Sequence, residues 1–276
     1  MPTVVKSVEL PNRVTLSYAE QGDPSGAPLL LLHGVTDSWH SFEPVMPHIP
    51  ESIHAFALTQ RGHGDSSRPA TGYRFDDFAF DVAAFMDALH IESAVIAGHS
   101  MGSAVAQRFA IVCPERTLGL VLIGSFASLR SNPGVQELWN SVISTITDPV
   151  DPAFVRDFQE STLAKPVPPA FLETIVKESL KLPARVWKAA FEGFLEDDFS
   201  GQLSAIKAPV LIVWGDRDEF CRQSDQDALQ AAISGSRFVV YPGCGHGLHW
   251  EQPERFGADL TAFVEGVIAN QRRMNL

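Results

Sequence analysis

Short runs of continuous apolar residues, each closed by Gly, Pro or polar residues, recur along the chain. Eight of them, at residues 4–8, 14–19, 29–32, 55–58, 94–97, 118–123, 210–214 and 238–241, are rich in Leu and β-branched residues and predict strands. From Leu29 onward the runs are continuous rather than alternating. Strands covered on both faces have this pattern, so a mostly parallel sheet with helices on each side is expected. Between the runs the spacing becomes helical: Phe78, Val82, Phe85 and Leu89 share one face, and Phe256, Leu260, Phe263, Val264 and Val267 share another. No helical stretch separates the first two runs, which predicts an antiparallel edge.

The alternation breaks between about residues 127 and 200, where amphipathic segments occur without a strand. Prolines 133, 149, 152, 166, 168, 169 and 183 divide this stretch into what should be four short helices. The expected organisation is a core made of residues 1–126 and 201–276, with 127–200 inserted into it.

Composition narrows the possible partners. Thirty-three Asp and Glu against twenty-one Lys and Arg leave a net charge of −12, the wrong sign for neutralising phosphates. Neither nucleic acid nor an anionic membrane surface is an expected partner. Cys113, Cys221 and Cys244 form no CxxC pair and cannot all pair with one another, which argues for a reducing compartment. Residues 1–10 lack a basic and apolar leader pattern, and no apolar run approaches a membrane span. A cytoplasmic protein is expected.

Gly98-His99-Ser100-Met101-Gly102 spells G-x-S-x-G between the strand at 94–97 and a helix opening near Met101. Small flanking residues permit a tight turn that lifts the serine hydroxyl above the sheet, at the positive end of the next helix. A serine hydroxyl is a weak nucleophile at neutral pH. It needs an imidazole to take its proton and a carboxylate to orient the imidazole. Gly215, Asp216, Arg217 and Asp218 follow the strand at 210–214, and Gly243, Cys244, Gly245 and His246 follow the strand at 238–241. Both segments lie at carboxyl ends of strands, where open α/β sheets assemble their sites. On position alone, either Asp216 or Asp218 could supply the carboxylate.

These motifs occur with His33-Gly34 after the third strand, Arg61-Gly62-His63-Gly64-Asp65-Ser66 after the fourth, and Gly-His-x-x-x-x-Glu-x-Pro-Glu over residues 245–254. Together, over essentially the whole chain, they resemble the α/β-hydrolase superfamily. The resemblance implies an α/β-hydrolase fold, with a mostly parallel sheet of about eight strands and residues 127–200 as a helical cap after the sixth. It implies Ser100 as nucleophile, His246 as general base and then acid, and Asp218, through the spacing G-x-x-D, as orienting carboxylate. Asp216 is then a turn residue. The backbone N–H groups of Val35 and Met101 would form the oxyanion hole.

Serine at the turn, where dehalogenases and epoxide hydrolases of this superfamily carry aspartate, leaves acyl transfer, and the resemblance is to serine carboxylesterases. Carbon–carbon bond hydrolases of the superfamily commonly have Asn where His99 stands and Trp where Gly247 stands, so they rank second. Cofactor-free perhydrolases or haloperoxidases, and ligand receptors built on the same fold, are further alternatives. His33 and His63 are expected to brace loops, and His99 and His249 to be structural. Trp39 and Phe126 outside the inserted stretch, and Trp187 and Phe191 within its aromatic-rich helices, are the side chains expected to touch substrate, a small to medium uncharged ester or lactone. No HExxH or HxxEH spacing occurs and no CxxC pairs with a histidine doublet, so neither a metal nor a cofactor is expected.

Overall fold

In the computed structural model, which describes residues 2–274, eight strands form one sheet. They are β1 Val4–Glu9, β2 Thr15–Gln21, β3 Ala27–Leu32, β4 Ile53–Leu58, β5 Ala94–His99, β6 Thr117–Ile123, β7 Val210–Gly215 and β8 Arg237–Tyr241. Their order across the sheet is β1-β2-β4-β3-β5-β6-β7-β8. The ladders β1–β2 and β2–β4 are antiparallel and all others parallel. The antiparallel edge foreseen from the first two runs is present. β3 and β4 begin two residues before their apolar runs, because Ala27 and Pro28 pair with Ile53 and His54.

The central strands are continuous in hydrophobicity because each face meets its own apolar layer. Leu30, Leu32, Ile96, Leu120, Leu122 and Ile212 point into one cluster, shared with Phe78 and Phe85 of α1 Phe75–Ala88 and Phe109 of α2 Met101–Val112. Their neighbours Leu29, Leu31, Val95, Val121, Leu211 and Val213 point into the other. There they meet Phe256, Leu260, Phe263 and Val264 of the carboxyl-terminal helix. The period of two along each strand thus divides the leucines between layers.

Four helices lie between β6 and β7, as the prolines predict: α3 Pro133–Ser141, α4 Pro152–Glu160, α5 Pro169–Leu180 and α6 Ala184–Glu196. Pro is the first residue of α3, α4 and α5, where its missing N–H has no helical partner to lose. Asn132 and Asp151 cap α3 and α4 by accepting backbone N–H groups. The ends of the insertion come near each other: Ser128 and Arg130 lie close enough to Asp198 to favour its charged form, after the larger effect of Ser200. Three further helices follow β7: α7 Gln223–Ala232, α8 Leu248–Glu251 and α9 Pro253–Met274.

A buried ion pair ties the loop after β4 to α1. Arg61 grips Asp81 through two hydrogen bonds of 2.5 Å and reaches the Gly72 carbonyl at 2.8 Å.

Candidate active site

Ser100 occupies the turn between β5 and α2 with φ 51° and ψ −116°. A non-glycine residue held there stores on the order of 1–3 kcal/mol of strain. Its neighbours explain how so sharp a turn fits. A Cβ on Gly98 would fall 2.1 Å from the Gly102 carbonyl oxygen, and one on Gly102 would fall 2.1 Å from that of Leu32. The Ser100 N–H donates to the Ile123 carbonyl at 3.0 Å, which fixes the turn against β6.

His246 and Asp218, placed by the loops after β8 and β7, meet across the sheet's carboxyl edge. His246 Nδ1–H donates to Asp218 Oδ2 at 2.8 Å. The other carboxylate oxygen accepts the N–H groups of Phe220 and Cys221, each at 2.9 Å. Three donors hold this buried carboxylate, and with Nδ1 committed to it, His246 Nε2 is the ring nitrogen left as an acceptor. Gly124, at φ 50°, makes room for the pair, since a Cβ there would lie 2.9 Å from His246 Nδ1. His99 Nε2–H donates to the His246 carbonyl at 3.1 Å and braces this loop from behind. Asp216, the other carboxylate open on position alone, is exposed and accepts the Gly243 N–H at 2.6 Å. It is a turn residue.

The loop after β3 forms the facing wall. His33 Nε2 accepts the Gln60 N–H at 2.9 Å, so its Nδ1 carries the proton and donates to the Gly34 carbonyl at 2.7 Å. A trans peptide points its N–H opposite to its carbonyl. Pinning the Gly34 carbonyl therefore also orients the Val35 N–H. Val35 lines the same cavity as Ser100 and His246, and Met101 opens α2 directly after Ser100.

That cavity measures about 380 Å³. Its apolar wall comes largely from the inserted helices and the loop after Asp218, with Leu129, Val135, Phe158, Phe194 and Phe220. The carboxyl groups on it are those of Asp37, Asp157 and Glu219, with no Lys or Arg among the described residues.

Of the side chains expected to touch substrate, Phe191 lines the cavity and three do not. Trp39 stacks on His40, with ring centres 3.9 Å apart, and packs against the opposite sheet layer. Phe126 is buried edge-on behind Phe194, at 5.8 Å. Trp187 is fully buried behind Phe154 and Phe158. Amphipathic spacing shows which aromatic residues turn inward, not which of two inward layers they reach. Phe220 was missed although its position, two residues after Asp218, was a usable signal. Gln159 carries no such signal.

Burial dominates the ionisable groups enclosed near the site. It holds His33 and His99 neutral, far below the ordinary imidazole range, and lowers His63 to about 4 and His249 to about 3. It raises Asp37 to about 8, against the opposing hydrogen bonds from Gln159 and Ser41. Burial also raises the Cys244 thiol, although Lys165 approaches its sulfur at 3.3 Å. Asp218, Cys221 and His246 bring possible ligand atoms within 4.8 Å of one another. The Asp–His hydrogen bond already uses two of these groups, and burial with the nearby Asp218 charge pushes the Cys221 thiol far up. This donor set suits proton transfer better than a cation.

A serine on a strained strand-to-helix turn, sharing its cavity with an imidazole backed by a buried carboxylate at the carboxyl edge of a parallel sheet, defines a hydrolase of α/β architecture. The model of the alpha/beta hydrolase fold family matches residues 27–253, and the chain belongs to that family. It is 27% identical over 267 residues to the AB hydrolase superfamily protein YisY of Bacillus subtilis (strain 168), covering 93% of this chain and 97% of that one. A non-heme chloroperoxidase of Streptomyces lividans is 26% identical over 268 residues, covering 90% and 95%. Among solved structures, a membrane phospholipase A described as a bacterial virulence factor superposes with a TM-score of 0.85 at 26% identity, covering 96% of this chain and 86% of that one. No helix among the described residues is long and apolar enough to cross a membrane.

Proposed function

We propose that the protein hydrolyses small to medium uncharged carboxylic esters or lactones through an acyl-enzyme on Ser100. The observation that carries this reading is the buried His246–Asp218 hydrogen bond on the cavity wall that also holds the strained Ser100. Ser100 Oγ attacks the carbonyl carbon while its proton passes to His246 Nε2, and the oxyanion is held by the N–H groups of Val35 and Met101. Collapse expels the alcohol, which takes the proton from His246. Water then attacks the acyl-enzyme carbonyl and gives a proton to His246, which passes it to the departing Ser100 Oγ, leaving the free acid and the restored serine. Residues 127–200 act in this scheme as a cap over the serine, with residues 1–126 and 201–276 as the catalytic core. The three free cysteines support a cytoplasmic setting.

Substrate charge follows from the wall. A carboxylated ester would meet the carboxylates of Asp157 and Glu219 and no Lys or Arg, whereas an apolar acyl group gains about 0.8 kcal/mol for each methylene buried. Specificity constants for matched neutral and carboxylated esters should therefore favour the neutral member by about tenfold or more, the scale of one unfavourable charge contact. A preference for the acidic member would overturn the assignment. The full-length likeness to a chloroperoxidase favours a second activity, formation of a peracid from a carboxylic acid and hydrogen peroxide. Assaying that reaction beside ester hydrolysis separates the two.

A further inference from the structure

Thr36, directly after Val35, sits at φ 70°, a left-handed backbone that β-branched residues rarely adopt. Such a conformation persists only where neighbours over-determine it. Within the loop, the turn is closed by a long backbone contact, Asp37 N–H to the Gly34 carbonyl at 3.3 Å. The stronger restraint comes from α4. Gln159, 1% exposed, places its Nε2 at 3.0 Å from Thr36 Oγ1, 3.1 Å from Asp37 Oδ1 and 2.9 Å from Ser179 Oγ. Its two N–H bonds thus serve three acceptors, two on the loop after β3 and one on α5. Ser179 itself reaches Thr36 Oγ1 at 3.3 Å. Just beyond the end of α4, the Thr162 carbonyl accepts the N–H of Gly247, beside His246, at 3.0 Å. The carboxyl end of one inserted helix is therefore stitched to both loops that flank Ser100.

We propose that Gln159 is a positioning residue that clamps Thr36 and Asp37 to the inserted helices and so, together with the His33–Gly34 hydrogen bond, holds the Val35 N–H in place, this donor being fully aligned only while α4 is seated. The inference rests on the assignment of Val35 to the oxyanion hole. It gives the insertion a second task beside shaping the pocket, because seating of α4 sets the geometry in which charge develops. Gln159 also lines the cavity. A mere wall residue would act on substrate binding, whereas a clamp acts on the transition state.

The test is Gln159→Leu, with the shorter Gln159→Asn as a milder variant should the first not fold. With a neutral ester, kcat should fall about ten- to a hundredfold with KM within about threefold. That is less than the ~10²–10³ typical of losing an oxyanion donor outright. Labelling of Ser100 by a fluorophosphonate should slow in parallel, since its phosphoryl oxygen uses the same hole. Adding Thr36→Gly, which accepts a left-handed backbone without strain, should restore at least part of the lost kcat. Hydrogen exchange of the segment 33–37 should quicken in Gln159→Leu while α2 stays protected. Unchanged kcat, a loss confined to KM, or unchanged exchange at 33–37 would each overturn the clamp. Ester turnover that survives Ser100→Ala would remove Ser100 as the nucleophile, and the exchange result would still decide whether Gln159 restrains the loop.

Discussion

The conformation of Ser100 sets function against stability at a single residue. Ser100→Ala should leave less than about one per cent of ester turnover, because a nucleophile–base–acid set works as a unit. Ser100→Gly should be equally inactive but more heat-stable than Ser100→Ala, since glycine relieves the strain of φ 51°. Thermal unfolding of the two variants checks this, and equal midpoints would mean the turn is not strained. Asp218 and Asp216 make a second pair. Asp218→Asn exchanges a carboxylate held by three donors for a neutral amide, and by analogy with other triads should cost about 10⁴ in rate. Asp216→Asn touches only the Gly243 turn and should cost far less; steady-state rates in the reverse order would move the acid to Asp216. The sequence favours Asp218 over Asp216 only through the spacing of a family motif, because two carboxylates two residues apart follow the same strand.

Elements were more legible than the surfaces between them. A strand buried on both faces must be apolar throughout, so its residues announce it, and prolines at the starts of α3, α4 and α5 mark breaks that no neighbour can override. The cavity wall depends on how four helices rotate against one another. Trp187 and Phe191, four residues apart on α6, end in different layers, one behind the wall and one on it. The ion pair of Arg61 and Asp81 likewise joins elements that local pattern does not connect. Asp81→Ala would leave a buried guanidinium without its partner, and should destabilise the protein by about 3–5 kcal/mol. Chemical denaturation of the variant is the measurement, and a loss below ~1 kcal/mol would show that water reaches the pair.

Across the whole molecule, the buried ionisable groups should give stability a maximum near neutral pH. His63 and His249 stay neutral in the folded state down to about 4 and about 3, and His33 and His99 are also held well below their ordinary range. The unfolded chain takes up protons at these sites once pH falls below about 6.5, so stability falls with acid, by roughly 1.4 kcal/mol per pH unit per group. Asp37 has the opposite sign. Folded, it keeps its proton up to about 8, whereas the unfolded carboxyl loses it near 3.8. Between those values stability falls as pH rises. Asp37→Asn should remove that slope and gain stability relative to the parent between pH 5 and 8. Parallel urea-unfolding curves across that range would show that Asp37 is ionised in the fold.

Ser128 and Asp198, at the two ends of the inserted helices, lie within electrostatic reach of each other. Two junctions side by side make this stretch a cassette, replaceable by recombination without lengthening the path of the surrounding chain. Ser100, Asp218 and His246 all lie outside it, so a lineage can acquire a new acyl preference in one exchange and inherit its chemistry unchanged. The constraint on such an exchange is Gln159: an incoming cassette has to supply a donor at that spot, or the strained loop beside Val35 loses its anchor.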